Sequence, residues 1–182
     1  MAKLIAKSAA GELLPVTIGP LTLSELPQER ITAIAPYPGK VEAVSTALEK
    51  LGLGFPAPGT SQRAAKARIL WAGRDLAFLI GAAPPAGLGA HAALTDQGDG
   101  WAGLALSGPG VEAALARLVP LDLSAAAFPE GATARAALGH ITILLHRIGA
   151  ESFALYLFQS MVATAIHELE EVMRALLARA SL

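Results

Sequence analysis

The chain has 182 residues, 53% of them hydrophobic and only 16% charged, with a formal net charge of -1 and no cysteine. Its mean hydropathy is +0.50. The near-zero charge without a basic stripe excludes a nucleic-acid partner, and the missing thiols exclude disulfides and thiolate metal sites. The length fits one domain, or two small fused halves. A surface this poor in charge points to apolar area buried against partner chains, with an alanine-rich composition as the plainer explanation.

Residues 1–29 carry Pro15, Pro20 and Pro27 among alternating apolar positions, which reads as an extended N-terminal arm. The apolar run at the start is too short for a signal peptide. The spacing predicts a strand at 31–35, a turn at 36–39, and a helix over 41–51 with Val41, Val44, Leu48 and Leu51 on one face. Gly52 and Gly54 follow as its stop, and 57–65 reads as a loop. A hairpin is expected from 68–71 and 76–80 around Ala72-Gly73-Arg74-Asp75.

The Pro- and Gly-rich stretch 82–89 is the expected boundary between two halves. A strand at 101–106 leads through Ser107, the expected N-cap, and Pro109 into a second helix. A second hairpin comes from 141–146 and 153–158. The last helix has Val162, Ala165, Ile166, Leu169, Val172, Met173, Leu176 and Leu177 on one stripe, with Glu170 and Arg174 at ion-pair spacing. The uncharged stretch between Glu151 and His167 is too short and polar to span a bilayer. A cytoplasmic protein without membrane contact is expected.

The two halves repeat one another. Pro38-Gly39 precedes Val41-Glu42-Ala43 as Pro109-Gly110 precedes Val111-Glu112-Ala113, and Phe55-Pro56 is answered by Phe128-Pro129. The expected architecture is α+β: an arm at 1–29, then one domain at 30–182 made of two ferredoxin-like β-α-β-β repeats, 30–89 and 90–182.

Motifs that carry chemistry are fragmentary. His167-Glu168 begins a zinc-protease pattern, but Glu171 stands where the second imidazole is needed. Gly108-Pro109-Gly110 sits where phosphate loops occur, yet neither a Lys-Ser/Thr pair nor a third glycine follows, so a structural turn is favoured. His140 and His146, six residues apart on a strand, would share a face and with Arg147 form a small proton-handling rim; strand-end or interface roles are favoured. Asp96-Gln97-Gly98-Asp99-Gly100 begins like a calcium loop but has Ser107 at its twelfth position, and Asp122 is another isolated acid. No serine stands in a nucleophile elbow, and Ser107 and Ser160 read as helix caps. No catalytic, cofactor-binding or metal residue is assigned.

An ordered set of segments nonetheless resembles the gamma subunit of heterotetrameric sarcosine oxidase. It comprises Thr95-Asp96-Gln97 before Trp101, then Leu106-Ser107-Gly108-Pro109, Pro120-Leu121-Asp122-Leu123, Ala137-Leu138-Gly139-His140 and Leu145-His146-Arg147. Phe158-Gln159-Ser160 before His167-Glu168-Leu169-Glu170-Glu171 completes it. Leu51-Gly52-Leu53 with Pro56, and Leu70-Trp71 with Gly73 and Asp75, agree more loosely. The resemblance covers roughly 25–178 and is strongest from Thr95 onward. The chain departs from the family where Gly73-Arg74-Asp75-Leu76-Ala77-Phe78 replaces Gly-Pro-Asp-Glu-Trp-Leu, and where Gly98 replaces a serine.

The resemblance implies a fold similar to the aminomethyltransferase, or folate-binding, fold of the glycine cleavage T-protein and the tRNA-modification GTPase. It implies a heterotetramer with alpha, beta and delta subunits that oxidises sarcosine to glycine, passing the methyl carbon to tetrahydrofolate or releasing formaldehyde. FAD, FMN, NAD and the folate site would belong to those partners, and the gamma subunit itself would be structural. The alternatives are a free-standing, homo-oligomeric folate-binding domain with Asp75, Asp96 or Asp99 as the pterin carboxylate, and a small enzyme using the His140, His146 and Arg147 rim. Sarcosine and other N-methyl amines are not distinguished.

Overall fold

The computed structural model describes residues 7–65 and 67–180. Its eleven described strands form two antiparallel sheets. The six-stranded sheet has the order β1-β2-β8-β11-β10-β9 and the five-stranded sheet β4-β5-β6-β3-β7. Here β1 is Val16–Ile18, β2 Leu21–Glu25, β3 Ile31–Pro36, β4 Ser61–Ala64, β5 Ala67–Gly73 and β6 Leu76–Ile80. The remainder are β7 Ala92–Asp96, β8 Trp101–Ser107, β9 Thr133–Leu138, β10 Ile141–Gly149 and β11 Ser152–Phe158. The helices are α1 (Val41–Leu48), α2 (Val111–Leu115) and α3 (Val162–Ala180).

The sheets stack face to face, with α1 outside one and α2 and α3 outside the other. Strand alternation sorts the side chains into three apolar layers. In β5 and β6, Ile69, Ala77 and Leu79 face α1, while Leu70, Ala72, Phe78 and Ile80 face the other sheet. In β10 and β11, Ile143, Leu145, Phe153 and Leu155 face the helices, while Leu144, Ala154 and Tyr156 meet the five-stranded sheet. Strands covered on both faces need continuous apolar runs. Much of the hydropathy that the sequence assigned to partner surfaces is thus taken up inside the chain.

The two sheets contain units of the same topology, each one strand longer than the expected repeat. From the strand before each helix, the two sheets run β3-β6-β5-β4 and β8-β11-β10-β9, so each unit is strand, helix and three-stranded meander. The additional strands escaped the sequence pattern. Stretch 57–65, expected as a loop, contains β4, Ser-Gln-Arg-Ala, which has no apolar alternation, and half of β9 is alanine. The expected boundary at 82–89 also moves. Strand β7 pairs with β3, so after β3 the chain stays in the five-stranded sheet until residues 97–100.

The N-terminal segment is extended, as its prolines require, and it is integrated into the fold. Strand β2 pairs with β8, with Leu21 and Leu23 buried, and occupies beside β8 the place that β7 occupies beside β3. Residues 1–6 of the expected arm lie outside the described residues.

The expected hairpins form, with two-residue turns at Arg74–Asp75 and Ala150–Glu151. Helix α1 continues into a 3-10 turn, Glu49–Leu51, and stops at Gly52, whose φ of 71° is left-handed and whose N–H donates to the Glu49 carbonyl at 2.8 Å. Helix α3 buries Val162, Ala165, Ile166, Leu169 and Met173 as its stripe predicts, and Arg174 pairs with Glu170 at 2.5 Å.

Helix α2 corrects the capping assignment. Its N-cap is Gly110, without a side-chain cap, because Ser107 is still strand, paired with Ser152 and Thr22. Ser160 lies inside the 3-10 turn Gln159–Met161, where Phe158 holds the N-cap position. Gly108 is required by the close passage of the chain: a Cβ there would lie 2.1 Å from the Pro20 carbonyl oxygen, at a φ of +118°. That contact packs the strand-to-helix turn against the β1–β2 turn.

Candidate functional site between the two sheets

Arg68, Thr133, His146 and Tyr156 gather at one end of the layer between the sheets. Here the edges are laced together: Thr60 bridges Ala132, the Thr133 N–H donates to the Gly59 carbonyl at 2.8 Å, and the Trp71 N–H donates to the Thr60 carbonyl at 3.0 Å. A groove of about 650 Å³ opens beside this seam, lined by Ser61, Arg68, Glu130, His146 and Tyr156, with the β2–β3 connection at Leu26, Pro27 and Glu29 along its side.

Arg68 is the hub of one cluster. Its Nη2 pairs with the Glu29 carboxylate at 2.5 Å and donates to the Tyr156 hydroxyl at 3.0 Å. Burial works against the Arg68 charge, but the hydrogen bond to Glu29 and the neighbouring Tyr156 outweigh it and raise its pKa. Burial raises the Tyr156 phenol, opposed by the Arg68 charge, so the phenol stays protonated.

The second cluster is His146 with Ser61. The Ser61 hydroxyl donates to the Gly131 carbonyl at 2.8 Å, so its oxygen accepts from His146 Nε2–H at 3.0 Å. This wiring fixes the neutral Nε2–H tautomer and leaves Nδ1 as a buried lone pair without a partner. Desolvation first, then the charges of Arg68 and Arg63, push the His146 pKa down to about 4. A serine activated for attack would give its proton to an imidazole held by an acid on the opposite nitrogen. Here the serine proton points at a carbonyl and the imidazole is too weak a base.

The rim expected from His140, His146 and Arg147 does not form. His140 is exposed on the β9–β10 turn, before the strand starts at Ile141. Arg147 follows His146 directly and faces the helices. All five of its donors are used there: Nη1 to the Leu123 and Phe128 carbonyls, Nη2 to Glu112 and the Ala150 carbonyl, and Nε to the Gly149 carbonyl. It is a structural clamp under the 120s loop, with Phe153 beneath it at 5.0 Å.

Asp75, Asp96 and Asp99 are exposed and absent from the groove lining. Asp75 sits at the β5–β6 turn, and Asp96 accepts the Gly98 N–H at 2.9 Å in a tight turn. Asp122 does the same for Ser124, which lowers its pKa. His167 and Glu171 lie exposed on α3, and no cluster of three metal-ligating side chains occurs among the described residues. No described helix is long and apolar enough to cross a membrane.

Sequence reasoning missed Glu29, Ser61, Arg68 and Tyr156. Arg68 is 39 residues from Glu29 and 88 from Tyr156, so no local motif joins them. The one available signal was the phenol in the otherwise apolar run Phe153-Ala154-Leu155-Tyr156-Leu157.

No protein-family model matches the chain, and no curated protein matches its sequence. Among solved structures, a chain of the heterotetrameric sarcosine oxidase from Corynebacterium sp. U-96, in complex with pyrrole 2-carboxylate, aligns with a TM-score of 0.78 and 25% identity. That alignment covers 92% of this chain and 94% of that one. The Clostridium acetobutylicum aspartate kinase aligns at a TM-score of 0.43 and 11% identity, over 90% of this chain and 37% of the kinase, too weakly to carry an argument. The resemblance to subunits of heterotetrameric sarcosine oxidase therefore holds in fold as well as in sequence.

Proposed function

We propose that the chain is the gamma subunit of a sarcosine oxidase-type flavoenzyme, and that it is a structural rather than a catalytic component. The observation that carries this reading is the near end-to-end match to one whole subunit of such an enzyme, 92% of one chain on 94% of the other. The choice of gamma rests on the ordered segments from Thr95-Asp96-Gln97 to His167-Glu168-Leu169. The paired strand–helix–meander units agree with the ferredoxin-like repeats of the folate-binding fold. In this reading the partners are alpha, beta and delta subunits, which hold FAD, FMN, NAD and tetrahydrofolate, and the complex works in the cytoplasm. The reaction would take sarcosine to glycine, its methyl carbon passing to tetrahydrofolate or leaving as formaldehyde. The saturated Arg147 and the misdirected Ser61 hydroxyl support a structural role for this subunit.

Co-expression of the tagged chain with alpha, beta and delta subunits of a heterotetrameric sarcosine oxidase tests the proposal. Stoichiometric recovery of yellow, sarcosine-oxidising complex is expected; recovery of the tagged chain alone would overturn it. A second reading, a free-standing folate binder, draws on the groove, whose 650 Å³ is in the range of small-molecule sites. Under it, tetrahydrofolate titrated into the isolated chain would quench Trp71 or Trp101 fluorescence at micromolar concentrations.

A further inference from the structure

Three arginines reach buried aromatic side chains, Arg147 from a buried position, Arg68 from a half-buried one and Arg135 from an exposed one, and they differ in what neutralises them. Arg68 has Glu29 and Arg147 has Glu112. Arg135, on β9, has no carboxylate within ion-pair distance among the described residues. It lies opposite Leu144, whose side chain enters the layer between the sheets. From there its guanidinium reaches over the Trp101 ring, 5.1 Å from the centroid. Burial lowers its pKa, with no partner charge to restore it.

The ring beneath is fixed. Trp101 is 4% exposed, edge-on to Phe78 at 5.0 Å and tilted against Phe158 at 4.8 Å. Phe158 closes the cluster on the outside and is itself 44% exposed, although it follows the fully buried Phe153–Leu157 run. A partly desolvated guanidinium without an anion among the described residues and a large exposed ring thus both pack against one rigid indole. Arginine and aromatic anchors on a preorganised support are the composition of binding hot spots. The cation calls for a carboxylate, and the exposed ring for an apolar side chain beside it. A free small carboxylate would use only the first.

We propose that Arg135 and Phe158 form a docking spot for a partner protein chain that presents a carboxylate to the guanidinium and an apolar side chain to the Phe158 ring. The inference rests on the reading of the chain as a subunit, and it names the surface through which that subunit binds. Filling the spot completes the charge pairing that Arg68 and Arg147 already have within the chain.

The test is co-purification of tagged wild-type, Arg135→Gln, Arg135→Lys and Phe158→Ala chains with the flavoprotein subunits, with melting temperatures measured on each isolated chain. Loss of a hydrogen-bonded charge partner at an interface weakens binding on the order of 30-fold or more. Arg135→Gln and Phe158→Ala are expected to lose that much partner, and Arg135→Lys less, with melting within a few degrees of wild type. Wild-type recovery of partner by both variants would overturn the docking spot and leave the subunit reading standing. Failure of the wild-type chain itself would overturn both. Saturable acetate binding to the isolated chain, abolished by Arg135→Gln while assembly is unaffected, would replace the docking spot with a small-carboxylate site.

Discussion

His146 and Arg147 are neighbours on β10 and meet opposite fates, which separates the two faces of the six-stranded sheet. Arg147 enters the helix side and finds five acceptors for five donors. His146 enters the layer between the sheets and keeps one nitrogen unpartnered. The helix side is closed by α2, α3 and the 120s loop, whose carbonyls turn inward to meet the guanidinium. The inter-sheet layer is closed by two sheets whose backbone groups are already paired within themselves. Polar side chains there pair with one another, as Arg68, Glu29 and Tyr156 do, reach a carbonyl at the seam, as Ser61 and Thr133 do, or remain unsatisfied. Differences of this kind place open valences, and hence recognition, in the middle layer and its mouths.

The largest test of this contrast is Arg147→Ala. Removing a fully bonded buried cation leaves the Leu123, Phe128 and Ala150 carbonyls without their donor. It should cost about 3–5 kcal/mol, a fall of about 10 °C in melting temperature by calorimetry; a change under 2 °C, by contrast, would show the clamp to be dispensable.

Next is the acid dependence due to His146. Its folded pKa, about 4, lies below the ordinary 6.5, so the unfolded chain binds the proton first. Stability should therefore be fully present above pH 6.5 and decline as pH falls toward 4, by up to roughly 3 kcal/mol. Urea unfolding of wild type and His146→Gln across that window measures it, and the variant should lose most of the slope. Parallel curves would place the acid limb elsewhere.

Tyr156→Phe removes the acceptor of two Arg68 N–H groups while Glu29 remains. A loss of about 1–2 kcal/mol is expected from denaturant midpoints. The smallest effect belongs to the exposed Arg174 on α3, which pairs with Glu170 and Glu171. Arg174→Ala should leave the midpoint unchanged within error, because solvent screens the pair. A drop as large as that of Tyr156→Phe would remove the distinction between surface and interlayer pairs.

Much of the fold was legible where burial imposed a period. The α3 stripe, the runs 141–146 and 153–158, and the Gly52 stop each follow from local rules of spacing and backbone conformation. Strands β4 and β9 were not legible, because a polar edge strand and an alanine-rich one carry no alternation. Ser107 was misassigned as a cap because strand pairing held it in the extended state. For the site, the histidine was noticed and its neighbours were not. His140 and His146 were read as one rim from spacing alone, and the turn at Gly139–His140 broke that spacing.

Sequence alone determined the α+β class and the family resemblance, because these rest on order and periodicity along the chain. Tertiary structure decided which sheet owns β2 and β7, which of two adjacent residues faces helix or sheet, and which charges are paired. Those outcomes depend on contacts between residues as far apart as Ser61 and His146, separated by 85 positions. A hydrogen bond or ion pair across such a distance leaves no periodic trace in the sequence, since its geometry exists only once both sheets are in place.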